Sequence, residues 1–69
     1  MTQFPLNDHE YIELNKLLKI LRWVNSGGDA NMLIVDRQVR VNGEVEIQKR
    51  KKLRKGDIVE FNKQSAVIS

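Results

Sequence analysis

The chain has no cysteine, one histidine and one proline, and each shortage excludes something. Without thiols there is no disulfide, no thiolate nucleophile and no Cys-ligated metal. With His9 alone, histidine-based metal sites and nucleophile–base relays lose their usual residues. The neighbours Asp8, Glu10 and Glu13 could suggest a cation site, but a lone His among scattered acids reads first as solvated surface. No apolar run approaches the ~20 residues that cross a bilayer. The longest is Met32-Leu33-Ile34-Val35, and the first residues show no charged-then-apolar leader pattern. These shortages predict a soluble, cytoplasmic protein that is not an enzyme and needs no cofactor or metal. At 69 residues the chain is expected to form a single domain, 1–69. A domain of this size buries only ~60% of its unfolded surface, so closely packed aliphatics must supply its stability.

Local positive charge is abundant. Six of the seven residues in Lys49-Arg50-Lys51-Lys52-Leu53-Arg54-Lys55 are basic. Residues 1–48 carry 5 basic against 7 acidic side chains, whereas residues 49–69 carry 7 against 2, so the net charge of +3 is concentrated at one edge. Focused charge of this kind attracts polyanions, and nucleic acid is the commonest of these. A solvated basic loop is the bland alternative. Leu53 argues against it, because an apolar residue in the middle suggests a segment pinned to a core.

Elsewhere the periodicity places the elements. Thr2 to Leu6 contains Pro5 and could only be an edge strand. Tyr11, Leu14, Leu17, Leu18 and Leu21 recur at helical spacing and read as one apolar face, with Tyr11 in the core; Tyr11-Ile12 equally suits extended backbone, and the helix proper is expected to begin near Leu14. Lys16, Lys19 and Arg22 form a basic stripe on its polar side. Trp23 at the following junction reads as packing. Ser26 opens a second helix as N-cap, with Asp29 three residues on, and Ala30, Leu33 and Ile34 give that helix its buried face. Gly27 and Gly28 are poor helix formers. Close helix packing there is the expected reason, and bare amides facing an anion the alternative.

After Asp36 the period changes to two. Val39 and Val41, the turn Asn42-Gly43, then Val45 and Ile47 make a hairpin signal. A two-residue loop would set Val41 opposite Glu44 and split the apolar sets between two faces. A three-residue loop or a bulge is therefore expected, restoring Val41 to Val45 and Val39 to Ile47. Gly56-Asp57 turns into a strand over 58–61, and Asn62 to Ser65 turn into 66–68. The order predicts an α+β domain: a short N-terminal strand, two packed helices, then a mostly antiparallel sheet of three to four strands.

In combination, several motifs resemble the S4-like RNA-binding domain in its small stand-alone bacterial form. They are Leu14-x-x-Leu17-Leu18-Lys19, Ser26-Gly27-Gly28-x-Ala30, Val39-Arg40-Val41-Asn42-Gly43-Glu44 and Lys52-Leu53-Arg54-Lys55-Gly56-Asp57. The resemblance implies an "αL" unit, two packed helices and a hairpin that present basic side chains to structured RNA. Three departures stand out. Arg22 and Arg37 occupy positions after the two helices where relatives commonly carry Gly. In the second helix, Gly27 and Asn31 stand where many relatives carry arginines.

The leading expectation is a monomeric, non-catalytic protein that binds structured RNA, with ribosomal and transfer RNA as candidates, by phosphate and shape readout. The candidate contacts are Lys19, Arg22, Ser26, Arg37, Arg40, Asn42, Lys49, Arg50, Lys51, Lys52, Arg54 and Lys55. The alternative is a small interaction module that docks on an acidic protein or a ribonucleoprotein.

Overall fold

A computed structural model describes residues 1–69. Its elements are β1 (Thr2–Phe4), β2 (Ile12–Glu13), α1 (Leu14–Ile20), α2 (Gly27–Val35), β3 (Arg40–Val41), β4 (Glu44–Val45), β5 (Lys52–Leu53), β6 (Ile58–Phe61) and β7 (Gln64–Ile68). The main sheet has the order β1-β7-β6-β3-β4 and is antiparallel except for the β1–β7 pair. The short strands β2 and β5 form a separate antiparallel pair. The class is α+β, as expected, but the main sheet holds five strands, because both β1 and the short β4 join it.

One face of the main sheet and the inner faces of the two helices enclose the core. Leu14, Leu17 and Leu18 of α1, Ala30 and Ile34 of α2, and Val39, Val41, Val59 and Ile68 of the sheet side are buried together with Leu53. A fully buried Leu, Ile or Val contributes about 1.5–3 kcal/mol, so no staple is required for a cluster of this kind to hold a small domain. Trp23 and Phe61 flank the cluster with ring centroids 6.4 Å apart, in keeping with a packing role for Trp23.

Four sequence expectations are corrected. Tyr11, expected in the core, is 37% exposed, while its place before β2 and outside α1 agrees with the expected start of the helix near Leu14. Its helical spacing to Leu14 is incidental, since Ile12 is drawn into pairing with Leu53 and extends the backbone there. The β3–β4 hairpin keeps the strict two-residue loop, with Val41 opposite Glu44 and Arg40 opposite Val45. Asn42 and Gly43 take φ of 53° and 85°, the doubly left-handed turn whose twist matches the strands. That local preference prevails over the apolar pattern, and it leaves Val45 42% and Ile47 52% exposed. Glycines 27 and 28 are not sites of close helix approach. A Cβ at Gly27 would meet nothing within 4 Å, and one at Gly28 only the Ser26 hydroxyl at 3.8 Å. Lastly, the β6–β7 turn is only Asn62-Lys63, both left-handed, and Gln64 and Ser65 already belong to β7.

Candidate nucleic-acid interface

Residues 49–55 run across the start of α1, and the backbone of the run completes that helix. Glu13, at the N-cap, makes no side-chain capping bond. Instead the N–H groups of Leu14 and Asn15 donate to the carbonyls of Lys51 and Lys49 at 2.9 and 3.0 Å. Two of the four donors that a helix start leaves unpaired are thereby satisfied. Further along, Leu53 is fully buried and pairs with Ile12. At the far end the Arg54 N–H donates to Asp57 Oδ2 at 2.8 Å. Attachment at start, middle and end makes the run a fixed ridge with its basic side chains turned outward.

Asn42 supports that ridge. Its Nδ2 donates to Asp57 Oδ1 at 3.0 Å, and its Oδ1 accepts from the Ile58 N–H at 2.9 Å. The hairpin turn is thus tied to the turn that closes the basic run, and both ends of the Asn42 amide are engaged. Ser26 has a comparable structural task, its Oγ accepting from the Asp29 N–H at 3.1 Å. Among the candidate residues, these two polar side chains hold the architecture, and the charged ones face solvent.

All ten basic candidates lack a carboxylate partner, because the protein's one ion pair joins Lys16 to Glu13 at 3.6 Å. Lys49, Arg50, Lys52, Arg54 and Lys55 are exposed and Lys51 is half-buried. Arg40 projects from the sheet face opposite the buried Val39 and Val41, between Val45 and Glu60 on the neighbouring strands. Lys19 is exposed in the last turn of α1. Unpaired surface cations keep their full attraction for phosphate, whereas each ion pair would have to be broken first.

Arg22 and Arg37 stand in matching positions one residue beyond the two C-caps. After α1, the Trp23 N–H donates to the Leu18 carbonyl and the Arg22 N–H to that of Lys19, at 3.1 and 3.0 Å. After α2, the Gln38 N–H donates to Leu33 and the Arg37 N–H to Ile34, at 3.0 and 3.1 Å. Both are Schellman endings, and in each the residue after the cap is left-handed: φ is 61° at Arg22 and 64° at Arg37. Glycine adopts this conformation freely; for an L side chain it costs about 1–2 kcal/mol. The helices therefore end as they would with glycine, and the arginines bear the strain.

Sequence reasoning missed Tyr11. The Lys52 ammonium lies 5.0 Å and the Arg54 guanidinium carbon 5.6 Å from its ring centroid, both within cation–π range. Lys63 stands outside the candidate set. It occupies the left-handed β6–β7 turn and lines one shallow surface with Arg40.

The S4 domain family matches this chain over residues 4–69. The chain is 43% identical over 61 residues to an Escherichia coli (strain K12) protein named "Putative RNA-binding protein YbcJ", covering 88% of this chain and 87% of that one. A Shigella flexneri YbcJ shows the same identity and coverage. The solution structure of Escherichia coli YbcJ, described as revealing an αL motif involved in RNA-binding, superposes with a TM-score of 0.74 at 40% identity. That superposition covers 99% of this chain and 86% of the other. Family match, relatives and shared fold agree with the paired helices and basic hairpin region described above: this chain belongs to the S4 domain family.

Proposed function

We propose that the protein binds structured RNA, without catalysis, through the basic ridge of residues 49–55 together with Lys19, Arg22, Arg37 and Arg40. The observation that carries this reading is the ridge itself: its backbone is held at three points and none of its cations is neutralised by an acid. Charges in fixed positions suit a folded polyanion, where phosphates also have fixed positions, better than a flexible strand. Base edges in an A-form major groove are out of reach of side chains, so recognition rests on phosphate, 2′-OH and shape. Folded ribosomal or transfer RNA is the partner class that fits, with the protein acting as a cytoplasmic monomer. No helix of the chain is long and apolar enough to cross a membrane.

The test is RNA affinity as a function of salt. Four to six phosphate contacts at ~0.7–0.9 each predict a log–log slope of about −3 to −5. Replacing Lys49, Arg50, Lys51 and Lys52 by Ala flattens that slope and weakens binding at all sequences. Helix capping is retained in this variant, since the capping groups are backbone carbonyls. An unchanged slope would sink the assignment.

One observation favours a second reading, docking on an acidic protein or a ribonucleoprotein. Met32, Val35, Val45 and Ile47 are large apolar side chains left exposed. A pull-down that survives nuclease treatment would shift the weight to it.

A further inference from the structure

Beside the ridge lies an open cleft of about 650 Å³ between the N-terminal segment and α1. Phe4, Leu6, Tyr11 and Ile20 give it apolar walls, and Glu10 and Glu13 bring acidic groups to it beside Lys16 and His9. Tyr11 belongs to both features: it lines the cleft, and its ring carries the ridge cations Lys52 and Arg54. Ile20 is exposed on α1, so the apolar lining is open to solvent.

We infer that this cleft takes an unpaired nucleobase of the RNA held on the ridge, an inference that rests on the RNA-binding reading of the ridge. Charge decides which part of the RNA enters. Glu13 is already paired with Lys16, but Glu10 has no cationic partner and repels phosphate. This excess of one acid over Lys16 disfavours phosphate in the cleft and leaves the backbone to the ridge, so the uncharged base is the part of the RNA that suits it. There Tyr11 supplies a stacking surface, and the bases of loops and bulges are the ones free to leave their helix and stack on aromatic rings. The substrate class narrows accordingly, to folded RNA with an unpaired nucleotide next to a helical segment.

The experiment compares two otherwise identical RNA hairpins, one fully paired and one carrying a single bulged 2-aminopurine nucleotide. The wild-type protein is expected to bind the bulged hairpin about tenfold more tightly, from the stacking of one base, and to quench its fluorescence. Tyr11→Leu should bring the ratio of bulged to paired affinity from about ten down to about one; the ratio is the readout because Tyr11 also carries Lys52 and Arg54 of the ridge, so the paired affinity itself can change. Thermal unfolding of the variant shows that it is folded. Tyr11→Trp should keep the preference. Equal binding of both hairpins by the wild type, without quenching, overturns the inference, and so does a preference that survives in Tyr11→Leu. A dimer in light scattering that dissociates when the Tyr11→Leu change is made would place a second copy in the cleft and overturn it too. If the four-alanine ridge variant binds both hairpins as the wild type does, the RNA reading of the ridge fails as well. A ridge effect without a bulge effect removes the cleft assignment alone.

Discussion

Replacing Arg22 and Arg37 by glycine separates what these residues do for folding from what they do for binding. Each is left-handed at the end of a Schellman motif, with φ of 61° and 64°. Removing the Cβ relieves about 1–2 kcal/mol of strain per site. Against this, glycine adds backbone freedom to the unfolded chain, worth about 0.4–1 kcal/mol. Loss of the cation from the helix C-terminus costs about 0.3–1 kcal/mol, since both side chains are exposed. The balance runs from about 1 kcal/mol of destabilisation to about 1.3 kcal/mol of stabilisation per site, centred near zero, and 1 kcal/mol shifts the Tm of a domain this small by about 4–8 °C. The companion variants Arg22→Ala and Arg37→Ala keep the strain and lose the charge, so each should be less stable than its glycine counterpart by about 1 kcal/mol. Urea or thermal unfolding of the four single variants measures this difference. RNA titration across salt then supplies the functional half: in Gly and Ala variants alike, the log–log slope should fall by ~0.7–0.9 for each phosphate that is no longer neutralised. Glycine variants no more stable than the alanine variants would refute the strain account. Unchanged RNA affinity in all four would refute the binding role.

Three further outcomes follow from the packing and the hairpin. Asn42→Ala removes both hydrogen bonds of the amide and places a Cβ-bearing residue without side-chain support at φ 53°. It should cost about 2–3 kcal/mol in thermal unfolding, with Asn42→Gly recovering the backbone part. A loss under ~0.5 kcal/mol would show that the tie to Asp57 is idle. Val45→Thr and Ile47→Thr should change stability by no more than about 0.5 kcal/mol, because both side chains are exposed in the two-residue register; a loss above about 2 kcal/mol would mean that they face the core. Leu53→Ala should cost about 2–5 kcal/mol in urea unfolding although it lies amid charges, and should leave the salt slope of RNA binding unchanged where the protein remains folded. A neutral Leu53→Ala would show that the ridge is not anchored at its centre.

Much of the candidate site is legible in the sequence because its determinants are local. Concentration of charge in 49–55 is a property of composition, and Leu53 in its middle signals attachment to a core. Ser26 with Asp29 is a short-range cap, and the structure shows the hydroxyl accepting from the Asp29 amide. The later start of α1 and the edge position of β1 likewise follow from neighbours a few residues apart. By contrast, spacing alone misplaces Tyr11 in the core. A three-residue step sets Tyr11 on the face of Leu14 in a helix but on the opposite face in a strand, and the pairing of Ile12 with Leu53, forty-one positions away, selects the strand. In the β3–β4 hairpin, the apolar alternation and the Asn-Gly turn disagree about register. The turn prevails because its two residues accept positive φ with little strain, while Val45 and Ile47 lose only partial burial.

The amino-acid sequence by itself determined the fold class, the two helices and the polarity of charge, since periodicity, capping and composition act over a few residues. Tertiary structure alone decided that carbonyls of the basic run cap α1, that Asn42 and Asp57 lock its far end, and that Tyr11 stands between the ridge and a cleft. It also showed that Arg22 and Arg37 both hold a left-handed backbone. The two arginines follow from local bonds at the helix ends, whereas the other features depend on hydrogen bonds and packing between segments far apart in the chain. Such interactions form only once the core has closed, and no local pattern encodes them.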